Sequence, residues 1–283
     1  MTAGGAANWP ARGGLGEARA YLGFVQATFH KMLAYRLRYV TGIVSYLVYV
    51  TTYYYLWRAA WSALPPGATL RGFTFDEMVT WVAVGWCARS VYFNNVDREL
   101  GEQVQSGQIA LALSRPVSFQ GTVVAGALGE AVFRLLFFNV PISAVIFLLF
   151  PVSGPASALH AAAFALSLLL ALLVLTHVNF LIGLCAFALK NVDGVMRAKH
   201  YLLELLSGLL IPVSMFPAPL KAVSDCLPFA AISQVPTSIW LGRLEGAALR
   251  DGLALQTAWA IGLGAASALL WRRAARRLTV QGG

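Results

Sequence analysis

Charge is what this sequence has least of. Asp, Glu, Lys and Arg make up 12% of its 283 residues, about half the share of a typical globular domain. From Leu135 to Leu189 there is none in 55 consecutive positions. A water-soluble domain of ordinary composition is excluded. The run is also too long for one membrane crossing, which takes ~20 apolar residues. It is interrupted once, at Pro151-Val-Ser-Gly-Pro155, a turn-forming cluster, so the simplest reading is a helical hairpin through a bilayer. Cysteine is scarce as well. Cys87, Cys185 and Cys226 lie far apart, which argues against a disulfide framework and gives no metal-ligand spacing. The histidines at 30, 160, 177 and 200 are dispersed. No lysine sits in a phosphate-cradling glycine loop, because lysines 31, 190, 199 and 221 follow His, Leu, Ala and Leu. Neither His-Glu-x-x-His nor Gly-x-Ser-x-Gly occurs. No catalytic residue, cofactor site or metal site is therefore expected. The first 21 residues also lack the basic, apolar and small-residue pattern of a cleaved leader.

What is present is apolar: 58% of residues are hydrophobic, with Gly 26 and Pro 12, both better tolerated in membrane helices than in soluble ones. The net charge of +9 does not point to nucleic acid. The basic residues fall at the ends of apolar segments, where anionic lipid and topogenesis select them.

The organisation expected is an all-α integral membrane protein of six transmembrane helices. Residues 1–14 are Gly/Ala-rich and expected to be disordered, and 15–283 form one transmembrane domain. Over 15–38, Tyr21, Leu22, Val25, Phe29, Met32 and Leu33 recur at helical spacing opposite Glu17, Arg19, Gln26, His30 and Lys31. A basic amphipathic helix ahead of a span is expected to lie in the headgroup plane, the alternative being a plain cytosolic helix. Spans are expected at about 39–61, 78–96, 119–150, 157–189, 200–213 and 252–271. A loop at 97–118 follows the second. Between five and six, residues 213–241 are expected to form short amphipathic helices dipping into the outer leaflet, since non-helical backbone enters a membrane only under protein or water cover. With an N-terminus in the cytoplasm, that side holds 14 of the 21 Lys and Arg residues and the outer side 5. The asymmetry favours both termini inside.

The loop after span two has Val96, Leu100 and Val104 spaced by four, with Asp97, Glu99, Glu102, Gln103 and Gln105 between them. That pattern fits a surface helix with a narrow apolar stripe, ended by Gly107. On these residues alone, a handle for another protein and a plain solvated loop are both open.

Asp97-Arg-Glu-Leu100, Ser106-Gly-Gln-Ile-Ala-Leu111 and Arg115-Pro-Val-Ser118 resemble the corresponding loop of permease subunits in type-2 ATP-binding-cassette (ABC) exporters. A second likeness follows span five: Ser207-Gly-Leu-Leu-Ile-Pro-Val-Ser-Met-Phe-Pro217, Leu227-Pro-Phe229, Pro236 and Gly242-Arg243, with the Arg-rich tail ending Gln281-Gly-Gly283. The resemblance runs from about residue 20 onward. It implies that 97–107 is a coupling helix seated on a separate ATPase subunit, with Asp97, Glu99, Glu102, Gln103, Ser106, Gly107 and Gln108 as contacts. It implies that 15–38 is an elbow helix, and that Pro212, Phe216 and Pro217 lie at an extracellular gate. A second six-span permease, alike or different, and two ATP-binding subunits carrying ATP and Mg would complete the transporter in a bacterial inner membrane.

Six polar residues fall inside spans: Arg89, Glu130, Arg134, His177, Asn179 and Glu204. Each is costly at a helix centre, so each is expected to face inward. Glu130 and Arg134 share a helix face and read as a structural ion pair or as transport chemistry. Glu204 is expected to pair with Lys199 or Arg197. Tyr53, Tyr54, Tyr55, Trp57 and Trp61 read as an interfacial belt or a cation-binding surface. A proton-coupled secondary transporter using Glu130 or Glu204 stands as the alternative, although no inverted repeat is seen. The substrate is not readable, and export is implied by the resemblance alone.

Overall fold

The computed structural model describes residues 14–34, 37–113, 115–189 and 191–276. Residues 1–13, where disorder is expected, lie outside the described residues, as do Arg36, Ser114, Lys190 and the tail from Arg277 on. Within the described residues the protein is all helical, without a strand. Among the described residues, three helical stretches are long and apolar enough to cross a membrane: Phe119–Leu149, Ala158–Phe187 and Gly246–Ala275. The first two hold most of the charge-free stretch.

Helix α1 (Gly14–Ala34) lies along α6 (Phe119–Arg134). The approach is close because α6 presents small residues at Gly121, Ala125 and Gly129, the spacing that lets helix backbones meet in membranes. A Cβ at Gly129 would stand 2.3 Å from the Val25 carbonyl oxygen, and one at Gly121 would meet the Tyr21 ring at 2.6 Å. Helix α2 (Leu37–Ser62) packs on α3 (Phe75–Tyr92). Thr74 and Glu77 form a reciprocal capping box that starts α3. Every residue of α3 from Met78 to Tyr92 is buried, so α3 is enclosed on all sides and is the axis of the bundle.

Helix α4 (Val96–Gln105) and the short α5 (Ile109–Leu113) follow. Gly107, at φ 74°, turns the chain between them in a conformation that favours glycine. Helix α6 then runs through a π-helical turn, Leu135–Asn139, into α7 (Val140–Leu149). Pro141 cannot donate to the fourth carbonyl back and crowds it, and the wider turn accommodates this. The same turn aims the Asn139 amide at α3, where it donates to the Cys87 carbonyl at 2.6 Å and to Ser90 Oγ at 2.8 Å. Helix α8 (Ala158–Leu184), capped by Ser157, packs along α12 (Gly246–Ala275). Gly264 of α12 makes room for the His177 ring.

Helix α9 spans only Asp193–Leu206, about 21 Å at 1.5 Å per residue. The stretch expected as a fifth span at 200–213 is thus helical in its first half only. Gly208, at φ 78°, ends the helix, and an irregular segment leads to α10 (Ala218–Asp225) and α11 (Gln234–Trp240). This break is deep in the bundle. Gln256, which donates to the Ala231 carbonyl at 2.7 Å, lies ten residues, about 15 Å, inside the end of α12. Backbone at such depth needs partners from the protein, and it has them. The Trp81 indole donates to the Gly208 carbonyl at 2.9 Å, Ser224 Oγ to the Leu206 carbonyl at 2.6 Å, and the Gln234 side-chain carbonyl accepts from the Val213 N–H at 2.9 Å.

The opposite surface from α4 is closed by one arginine. Leu70 and Phe73 exchange backbone hydrogen bonds across Arg71 and Gly72, both at positive φ, the geometry of a type I′ turn. Arg243 donates to the Gly72 carbonyl at 2.7 Å, pairs with Glu77 at 3.0 Å and lies 3.5 Å over the Phe73 ring. Burial opposes ionisation of Glu77, but the Thr74 N–H and Arg243 outweigh it and hold its carboxyl below the ordinary value.

The α1–α6 contact gives a direct expectation. Gly129→Ala puts a methyl into the Val25 carbonyl and is expected to destabilise the contact by about 1–3 kcal/mol, seen as faster protease cleavage or hydrogen exchange within α1. Gly23→Ala, with nothing within 4 Å of the added carbon, is expected to leave α1 seated.

Candidate functional site

Helix α4 lies flat against the end of α8, and glycines set the distance. A Cβ at Gly183 of α8 would meet Leu100 at 2.9 Å, and one at Gly101 of α4 would meet Val192 at 3.1 Å. Val96 and Leu100 are buried in a cluster with Ile109, Phe119, Phe180 and Leu184. The opposite face of α4 is open. Glu99, Glu102, Ser106, Gly107 and Gln108 are exposed and Gln103 is half-buried. Arg98 pairs with Glu102 at 2.9 Å along this face. Partial burial pushes the Glu99 carboxyl above its ordinary value, with Lys31 of α1, 3.8 Å away, pulling it back.

Asp97 departs from the expected contact set. It is 4% exposed and turned into the protein, where Lys199 Nζ of α9 meets its Oδ2 at 2.7 Å. Its position at the apolar edge of a short amphipathic helix, beside Val96, Leu100 and Gly101, carries it inward. The same ammonium donates to Asn179 Oδ1 of α8 at 2.8 Å. Asn179 Nδ2 in turn donates to the carbonyl and side-chain oxygens of Asn94 at 2.9 Å each, and Asn94 donates to Thr176 Oγ1 at 3.1 Å. Five polar side chains from α8, α9, α4 and the α3–α4 link thus satisfy one another in a buried knot. Such a network makes a packing arrangement specific when every member is partnered.

Four of the six intramembrane polar residues gather at one cavity of about 670 Å³ between α1, α2, α3, α6 and α9, with Glu99 of α4 at its rim. Arg89 of α3 donates to Glu204 of α9 at 3.2 Å, with side chains 8% and 26% exposed. This corrects the expected partner of Glu204: Lys199 is turned to Asp97, and Arg197 is exposed, its Nε directed at the Asp193 carbonyl. His200 Nε2 is 3.3 Å from the same Glu204 oxygen. On α6, Arg134 Nε donates to Glu130 at 2.9 Å. The guanidinium of Arg89 lies 5.5 Å from the Trp86 ring centre and 5.1 Å from that of Phe93, and that of Arg134 lies 5.4 Å from Phe93. Tyr46 and Tyr49 complete an aromatic wall on Trp86, Tyr49 stacking at 4.5 Å. The cavity therefore combines paired charges with aromatic faces. His177 and Asn179 are not part of it. Asn179 belongs to the knot, and His177 is buried against α12 with Nδ1 lacking a hydrogen-bond partner among the described residues.

The three proposed gate residues sit in the irregular segment. Pro212 and Phe216 are buried and bracket a single 3₁₀ turn, Val213–Met215, while Pro217 is exposed and starts α10. Trp57 and Trp61 pack on each other beside Phe75, within the apolar core cluster or against it.

Sequence reasoning did not single out Trp81, Asn94, Thr176, Gln234, Gln256 or Arg243 for these roles. Gln256 had a signal, as the one amide in an uncharged segment, and Asn94 stands beside a second asparagine at the start of the loop. Trp81 had none, because an indole on an apolar helix reads as packing.

A family model described as ABC-2 family transporter protein matches residues 47–282. No curated protein and no solved structure matches the chain.

The Arg89–Glu204 pair predicts a non-additive series. Arg89→Met leaves a partly buried carboxylate without its main partner and is expected to destabilise by about 3 kcal/mol. Adding Glu204→Gln is expected to recover most of that loss. Thermal unfolding of the detergent-purified single and double variants reads the coupling, and additive losses would contradict the geometry.

Proposed function

The chain belongs to the ABC-2 transporter family, and from that premise we propose that it is the permease of an exporter whose ATP is hydrolysed on separate subunits. The family makes it a transmembrane transport component rather than a catalytic subunit. The finer reading takes α2, α3, α6–α7, α8, α9 with its irregular extension, and α12 as six crossings, with both termini in the cytoplasm of a bacterial cell. Helix α1 serves as the elbow helix and α4 as the coupling helix.

One observation supports this best. Helix α4 has its apolar stripe and Asp97 sealed into the bundle, while Glu102, Ser106 and Gly107 face away from it, Gln103 and Gln108 lie at the rim, and the half-exposed Glu99 turns toward Lys31 of α1. A helix anchored on one face and open on the other is what a docking surface for an ATP-binding subunit requires. In this reading ATP and Mg reside on that partner. Nucleotide-driven closure pushes on α4, and substrate passes by way of the cavity at Arg89 and Glu204 toward a gate at Pro212, Phe216 and Pro217. One set of six crossings does not enclose a path, so a second permease, identical or related, completes it. The secondary-transporter alternative gains nothing from the geometry: Glu130 and Glu204 are each engaged by an arginine rather than standing free in the cavity.

The expected behaviour is vanadate-sensitive ATPase activity in the purified complex, with transport lost on ATP depletion and retained with uncouplers. Glu102→Arg combined with Gln103→Glu is expected to abolish co-purification of the ATP-binding subunit or to cut ATPase activity at least tenfold, with the permease still folded. Unchanged assembly and activity would remove α4 as the contact.

A further inference from the structure

Helix α4 is covalently joined to α3, which makes α3 the obvious route by which a push on α4 enters the bundle. The packing argues against that route. Helix α3 is buried on every side from Met78 to Tyr92, and its junction with α4 is a non-helical break over 93–95, extended at Phe93. Helix α8, on which α4 rests, is packed along α12, α11 and α3. Both belong to the fixed body of the bundle.

Helix α9 does not. Only Leu203 and Leu206 of its fourteen residues are buried, and Tyr201, Leu202 and Leu205 are 67%, 47% and 51% exposed. Its other apolar side chains face outward, toward lipid or a second permease, so few of them tie α9 to the rest of the bundle. What holds α9 is a series of polar ties along its length. Lys199 grips Asp97 of α4 at 2.7 Å. One turn on, Glu204 grips Arg89 at the cavity. At the end, the Leu206 and Ser207 carbonyls accept from Ser224 Oγ at 2.6 Å and from the Gln234 N–H at 2.9 Å.

We infer that α9 is the element that carries displacement of α4 to the cavity and to the irregular segment beyond it, and that the Asp97–Lys199 pair is the positioning contact that makes it do so. The inference rests on the reading of α4 as the helix that receives motion from the ATP-binding subunit. The apolar contact of Leu100 on Gly183 carries no directional bond, so α4 can tilt on α8 about its N-terminal end, where Asn94 is held to Thr176 and Asn179. The buried ion pair does not permit this. With side chains 6% and 11% exposed, separating the charges leaves each in a poorly solvated place, so Lys199 follows Asp97 and draws α9 with it. Asn179, which shares the Lys199 ammonium, supplies the competing anchor on α8. Loss of Asp97 therefore leaves Lys199 held to the fixed body instead.

The test is hydrogen exchange on the full complex with its ATP-binding subunit in nanodiscs, with and without ATP and vanadate. In the unaltered protein, nucleotide is expected to change deuterium uptake in both 96–105 and 193–206. In Asp97→Asn the change in α4 is expected to persist while that in α9 falls at least fivefold, with ATP turnover continuing. Lys199→Met is expected to do the same from the other end, and serves if the first variant cannot be purified. The exchange Asp97→Lys with Lys199→Asp is expected to restore the α9 response, which a merely structural loosening would not do. A full α9 response in both single variants overturns the inference and leaves α4 docking intact. No nucleotide response in α4 of the unaltered protein overturns the docking reading, and this inference with it.

Discussion

The constraint on which this structure depends is that polar groups placed among apolar helices must find protein partners, because no water is there to replace them. The fold meets it in three places with three kinds of chemistry. Amide and indole side chains support the unwound chain after α9. A lysine and three carboxyl or amide groups, with a threonine hydroxyl, close the knot under α4. Paired arginines and glutamates, set against aromatic rings, line the cavity. In each place the partners come from different helices, so the polar contacts also specify how the helices are registered.

Apolar packing complements this by proximity rather than by bulk. Between helices in lipid the hydrophobic effect supplies little drive, and close approach of backbones matters more. Gly121 and Gly129 seat α1, Gly183 seats α4, and Gly264 accommodates the His177 ring of α8. Side chains of any size at these points would hold the helices apart. The two elements read as facing the cytoplasm, α1 and α4, are thus attached through glycine contacts, and α4 adds a buried ion pair at Asp97.

Much of the fold was legible because charge scarcity is a direct signature of the solvent. The charge-free stretch with its single proline-glycine break yields two long apolar helices joined by a turn, as the structure has them, and the all-helical class follows. The Glu130–Arg134 pair was legible because four residues along a helix set the geometry by themselves. The Asp97–Lys199 and Arg89–Glu204 pairs were not. Their members are 102 and 115 positions apart, and which cation meets which carboxylate is decided by the rotation of α9 against α3 and α4, a quantity absent from any local pattern. The same limit applies to Trp81 and Gln256. Their significance lies in which carbonyl they reach, and that carbonyl is exposed only because α9 stops where it does. The place where it stops was itself misjudged: hydropathy continues through Pro212, whereas the helix ends at Leu206 ahead of Gly208.

The π-helical turn at Leu135–Asn139 has a consequence for how mutations in this helix should be read. A wide turn absorbs about one residue more than an α-helical turn, and one residue is ~100° of rotation on a helical wheel. The half of the rod bearing Glu130 and Arg134 and the half bearing Ile142 and Ile146 therefore obey separate angular registers. A substitution scan plotted on one continuous wheel from Phe119 to Leu149 would smear its sensitive positions into a band widened by that ~100° offset. Plotted as two wheels offset at Asn139, the same data would resolve into two coherent stripes, one turned to the ionic chamber and one to the aromatic and aliphatic interior.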